Sequence, residues 1–99
     1  MAKKEIIWSA LAKIQLQTIL EFYSERNGNS NYSLKLLNEV EDILETISNT
    51  ALIGRLTSNK ITRVIPMKIY LLFYEINNDS IKILSFWDNR QDLENRKIR

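Results

Sequence analysis

The sequence predicts an α+β fold in which an N-terminal strand and an antiparallel helical hairpin pack on one face of an antiparallel β-sheet. Three observations carry this prediction. Apolar residues recur at helical spacing through the first half of the chain, short β-branched and aromatic runs replace them in the second half, and the breaks between segments fall on Asn, Gly, Pro and Ser clusters.

Residues 4–8 are short, apolar and β-branched, which predicts a first strand. Ser9 follows as a helix N-cap. Ala12, Leu16, Ile19, Leu20 and Tyr23 then form one apolar stripe at helical period, which Leu11, Ile14 and Phe22 widen. The helix ends at Asn27-Gly28-Asn29, because glycine supplies the left-handed backbone of a helix C-terminus. A second helix begins between residues 31 and 33 and runs to about residue 48. Leu36, Leu37, Val40, Ile43, Leu44 and Ile47 lie on one side of it, and Glu39, Glu41, Asp42 and Glu45 on the other. A connection of about four residues makes the two helices antiparallel neighbours. After the break at Gly54, residues 61–65 read as a strand closed by Pro66, which cannot donate to a ladder. Residues 69–76 and 81–87 read as a β-hairpin around Asn77-Asn78-Asp79-Ser80. The run Ile69 to Tyr74 is apolar on both faces, as a covered central strand requires.

At 99 residues the chain is expected to form one domain over 1–99, with residues 88–99 as a short helix or tail. With 44% hydrophobic and 26% charged residues it has an ordinary globular composition, which argues against disorder as its main state. No apolar run approaches the ~18 residues of a membrane span, and the N-terminus lacks a signal-peptide core, so a cytoplasmic location is expected. The chain has neither cysteine nor histidine. Disulfides, thiolate metal sites and Ser-His or Cys-His pairs are therefore excluded, and any chemistry must use Lys, Arg, Tyr or carboxylates. No cofactor or metal is implied. The charge is uneven: residues 1–50 hold five bases and seven acids, and residues 51–99 hold nine bases and five acids. The second half is where a polyanion or an acidic partner would dock.

Several strings in that half resemble a known family. Ile53-Gly54-Arg55, Arg63-Val64, Ile69-Tyr70-Leu71-Leu72-Phe73-Tyr74-Glu75-Ile76 and the segment from Ile81 through Trp87-Asp88-Asn89-Arg90-Gln91-Asp92 are similar, in order and spacing, to the RelE/ParE superfamily of toxins from type II toxin-antitoxin modules, also called plasmid stabilisation proteins. The resemblance covers roughly residues 5 to 92. It implies a cytoplasmic toxin that stops growth when free and is held inactive by a cognate antitoxin. RelE-like members cut mRNA on the ribosome, whereas ParE-like members poison DNA gyrase.

RNA cleavage through the 2′-hydroxyl needs a proton acceptor, a proton donor and cations around the phosphorane. The resemblance implies that RelE-like enzymes place Lys, Arg and Tyr for this on the open face of the sheet. On that basis Arg63 and Arg90 are the catalytic candidates, with Lys68 and Tyr70 as substitutes for a missing cation and phenol. The strand position where the ribonucleases carry an arginine falls on Leu71, and the C-terminal tyrosine position falls near Arg96, so the constellation is incomplete. Lys68, Arg96 and Lys97 are the cations expected to meet a target.

Period-two alternation separates Tyr70, Leu72 and Tyr74 from Leu71 and Phe73. If the tyrosines lie inward, Leu71 and Phe73 form an apolar open face suited to the antitoxin. This favours the ParE-like branch over a ribonuclease or a degenerate, non-toxic antitoxin-binding member. The plainer readings are structural: Arg63 pairs with a helix carboxylate or holds the sheet edge, Trp87 is core or rim packing, and Glu41, Asp42 and Glu45 are the wet face of a helix.

Overall fold

A computed structural model describes residues 4–88 of the chain. The elements run β1 (Glu5–Trp8), α1 (Ala10–Asn27), α2 (Asn31–Asn49), a 3-10 turn (Ala51–Ile53), β2 (Arg55–Leu56), β3 (Thr62–Met67), β4 (Tyr70–Ile76) and β5 (Ser80–Asp88). The five strands form one mixed sheet in the order β1-β5-β4-β3-β2. This is the α+β arrangement expected, with one difference in detail. The meander is antiparallel throughout, but β1 joins its far side parallel to β5, with Ile6 opposite Ile81 and Trp8 opposite Ile83. Parallel partners need a long crossover, and here the helical hairpin and most of the meander intervene.

Ser9 caps α1 as expected, its Oγ accepting from the Ala12 amide at 3.0 Å. The same hydroxyl donates to the Leu84 carbonyl at 3.0 Å. Gly28 ends the helix at φ 73, the left-handed region that a Cβ disfavours. Two serines join the helices: Ser33 Oγ donates to the Leu20 carbonyl at 2.7 Å, and Ser24 Oγ donates to Ser33 Oγ at 3.0 Å. At the other end of the hairpin, the Lys4 amide donates to the Ser48 carbonyl and Ser48 Oγ donates to the Lys4 carbonyl, tying α2 to the start of β1.

The core lies between the hairpin and one sheet face. Ala12 and Leu16 of α1 and Leu36, Val40 and Ile47 of α2 pack against Met67, Tyr70, Leu72, Tyr74, Ile81, Ile83 and Phe86. Burying side chains of this size contributes roughly 1.5–3 kcal/mol each.

Three expectations change. Leu11, Ile14 and Phe22 do not widen the buried stripe; Ile14 is 60% exposed, because one side of α1 meets the sheet and α2 and no described residue covers the rest. Pro66 does not close its strand but lies within β3, opposite Leu71. The turn at Lys68 and Ile69 makes Met67 and Tyr70 the hydrogen-bonded pair, so Pro66 occupies a non-bonded position and its missing N–H costs no ladder bond. Ile61 precedes β3 and is exposed, while Arg55–Leu56 forms an edge strand that its composition does not announce. The expected helix or tail beyond residue 88 lies outside the described residues.

Candidate functional site

The alternation along β4 decides what each sheet face carries. Tyr70, Leu72 and Tyr74 are fully buried beneath the helices, and Leu71 and Phe73 face the other way. Across the ladders, Leu71 lies between Pro66 and Trp87, and Phe73 between Val64 and Ser85. The Phe73 and Trp87 rings meet edge to face, 6.0 Å between centroids at 62°. The middle of the open face is therefore apolar: Val64, Pro66, Leu71, Phe73 and Trp87. Among the described residues, its charges sit at the margins, with Glu75 and Lys82 as cross-strand neighbours on one side and Arg55 opposite Val64 on the other. The Trp87 Nε1 is buried and has no hydrogen-bond partner among the described residues.

Arg63 does not face this surface. It stands opposite Tyr74 on the helix side of the sheet, where its guanidinium donates to the Gly54 carbonyl at 2.6 Å and the Leu52 carbonyl at 3.4 Å. The Tyr74 hydroxyl completes the arrangement, donating to the Ala51 carbonyl at 2.7 Å and accepting from the Gly54 amide at 2.8 Å. Burial pushes the Tyr74 phenol above its ordinary pKa, although the Gly54 bond and the Arg63 charge act in the opposite direction, and so it remains a neutral donor. Gly54 is required by space, since a Cβ there would stand 2.5 Å from the Tyr74 oxygen. Arg63, Tyr74 and Gly54 thus lock the turn before β2. The carbonyl partners differ from the helix carboxylate expected, while the role of holding the sheet edge agrees with the plainer reading.

Lys68 sits on the β3–β4 turn at φ 59, with its Nζ 2.7 Å from Glu39 Oε2 of α2. The hydrogen bond to Glu39 raises its pKa and keeps the ammonium charged. Tyr70 does not reach the open face as a substitute phenol. It stacks on Phe86 and shares a 3.2 Å hydroxyl contact with Tyr32, and burial, with that contact second, drives its pKa far above the ordinary tyrosine value. Arg90, Arg96 and Lys97 lie outside the described residues. Of the sequence candidates, the structure places Leu71 and Phe73 together, puts Arg63 on the opposite face and directs Lys68 toward α2.

Two features escaped sequence reasoning. A cavity of about 260 Å³ opens between the helices, lined by Trp8, Leu16, Leu37, Val40 and Leu44 with Lys13 and Glu41 among its polar residues. Separately, exposed aliphatic side chains gather around β2. Leu52, Ile53 and Leu56 belong to the second, but a two-residue strand is too short for its period to be read.

No curated protein matches the sequence. A solved structure described as "Chromosomal ParDE TA system from P. aeruginosa" is similar to this chain with a TM-score of 0.73 and 17% identity, over 85% of this chain and 94% of that one. At that identity the likeness concerns the fold. The sequence itself matches the family model described as "ParE toxin of type II toxin-antitoxin system, parDE" over residues 6–93, most of its length. With a family match across nearly the whole chain and a fold similar to that of the solved ParDE structure, this protein belongs to the ParE toxin family of type II toxin-antitoxin systems.

Proposed function

We propose that the chain is a cytoplasmic toxin that arrests growth by poisoning DNA gyrase and is neutralised by a cognate antitoxin. The observation that carries this reading is the composition of the open sheet face. Where phosphoryl chemistry needs convergent cations and a phenol, the described residues offer Val64, Leu71, Phe73 and Trp87. Such a face suits a protein segment, and Leu71 and Phe73 are the residues that receive the antitoxin. Lys68, Arg96 and Lys97 serve the target. The alternative, a ribosome-dependent mRNA endoribonuclease using Arg63 and Arg90, requires Arg63 to leave two carbonyl partners and cross to the other face. A non-toxic antitoxin-binding member is the third reading.

Inducible expression of the chain alone tests these together, following viable count, plasmid supercoiling and transcript integrity. Arrest with relaxed or broken DNA is the expected result. Arrest with transcripts cut at ribosome positions would move the assignment to the ribonuclease. Unchanged growth with folded protein present would remove toxicity from the account.

A further inference from the structure

The two most exposed large aliphatic side chains among the described residues, Leu52 at 69% and Ile61 at 65%, stand at the same edge of the sheet. Ile53 and Leu56 are exposed beside them. Topology brings them together. Leu52 and Ile53 end the turn that leads into β2, Leu56 is half of β2, and Ile61 is the last residue of the loop entering β3. That loop is held by Asn59, whose Oδ1 accepts from the Ile61 and Thr62 amides at 2.8 Å each. Ile61 is thus presented outward on a fixed support. The Arg63 bonds to Leu52 and Gly54 do the same for the turn.

The charge around this patch has one sign. From residue 46 to residue 74 there is no Asp or Glu, while Arg55, Lys60, Arg63 and Lys68 all fall in that stretch. Arg63 is engaged with carbonyls and Lys68 with Glu39. Arg55 and Lys60 are exposed and have no ion-pair partner among the described residues. A nucleic acid would meet the cations but leave the aliphatic groups in water. A second copy of this chain would bring like charges together. A segment that carries both carboxylates and aliphatic side chains satisfies both components.

We propose that the β2 edge is a docking surface for an acidic, aliphatic-rich segment of the antitoxin, a proposal that rests on the antitoxin reading above. Arg55 joins this edge to the apolar face, while Leu56, opposite Arg63, lies on the helix side of the sheet. Phe73 lies opposite Val64 and Val64 opposite Arg55, so one cross-strand row leads from the middle of the open face to the cationic edge. The backbone offers a place for pairing as well. The Thr57 amide donates to the Thr62 carbonyl, and alternation then turns the Leu56 N–H and C=O away from β3, toward the open edge.

The test measures binding of the full chain to the purified antitoxin from the adjacent reading frame. Two double variants are compared, Leu52→Ser with Ile61→Ser and Arg55→Glu with Lys60→Glu. All four side chains are exposed, so unchanged thermal unfolding is expected of both. Each pair is expected to weaken binding at least about tenfold. Added salt is expected to weaken the unmodified chain more than the charge-reversed one. If the unmodified chain binds and neither pair changes the affinity, the edge is not the docking surface, while the antitoxin reading stands. If the aliphatic pair alone matters and salt has no effect, the acidic character assigned to the partner is wrong. Absence of such a reading frame, or of binding by the unmodified chain, removes the antitoxin reading, and this surface falls with it.

Discussion

At the scale of single residues, the contact between Gly54 and Tyr74 ties a string of the sequence to a physical cause. Gly54 has an ordinary backbone, so what it contributes is the absence of a Cβ beneath a buried phenol. Gly54→Ala is expected to destabilise the fold by about 1–3 kcal/mol through forced overlap. Tyr74→Phe is expected to cost a similar amount, about 1–3 kcal/mol, because the Gly54 amide and Ala51 carbonyl lose their partner. The two changes share one contact, so in urea unfolding the double variant should lose less than the sum of the singles. Additive losses would mean that the turn does not depend on this approach. The break at Gly54 was legible in the sequence. The reason for it was not, since Tyr74 is twenty positions away and meets Gly54 only through the sheet.

At the scale of elements, α1 and β5 hold each other at an irregularity. The β4–β5 register shifts between Phe73 and Tyr74, leaving Leu84 with no residue opposite. Two β5 backbone groups at and beyond it find partners on α1 or its cap: the carbonyl of the unpaired Leu84 accepts from Ser9 Oγ, and the Phe86 amide donates to Gln15 Oε1 at 2.8 Å. A bulge that would otherwise strand polar backbone in the interior is thereby satisfied. Gln15→Ala is expected to destabilise by about 1–3 kcal/mol, whereas Gln15→Glu, which keeps an acceptor, should lose less. Equal losses in equilibrium unfolding would show that the side chain acts by packing alone. The N-cap role of Ser9 could be read from its position before a periodic run, because capping is local. Its second bond to Leu84, 75 residues away, could not.

At the scale of the whole molecule, two layers leave two surfaces that no other described residues cover: the outer side of α1 and the open face of the sheet. Helical periodicity identifies which residues share a side, but it does not say how wide the buried arc is when only one layer lies beneath. Leu11 and Ile14 therefore belonged to the expected stripe and yet face solvent. Leu11→Ser with Ile14→Ser should change unfolding stability by no more than about 0.5 kcal/mol, and Leu72→Ala should cost about 2–5 kcal/mol. A large loss from the α1 pair in denaturant titrations would place that side against another part of the chain.

The sequence by itself determined the order of the longer elements, the helix ends at Ser9 and Gly28, the β4–β5 hairpin and the division of β4 into two sets, Tyr70, Leu72 and Tyr74 against Leu71 and Phe73. Each of these depends on neighbours a few positions away, through capping geometry, turn chemistry or the two-residue period of a strand. Only the tertiary structure decided that β1 runs parallel to β5, that Arg63 faces the helices and that Leu52, Leu56 and Ile61 share an edge with Arg55 and Lys60. These depend on contacts between residues far apart in the chain. A periodic pattern assigns side chains to two sets, and the layer packed on the sheet decides which set becomes core and which becomes surface.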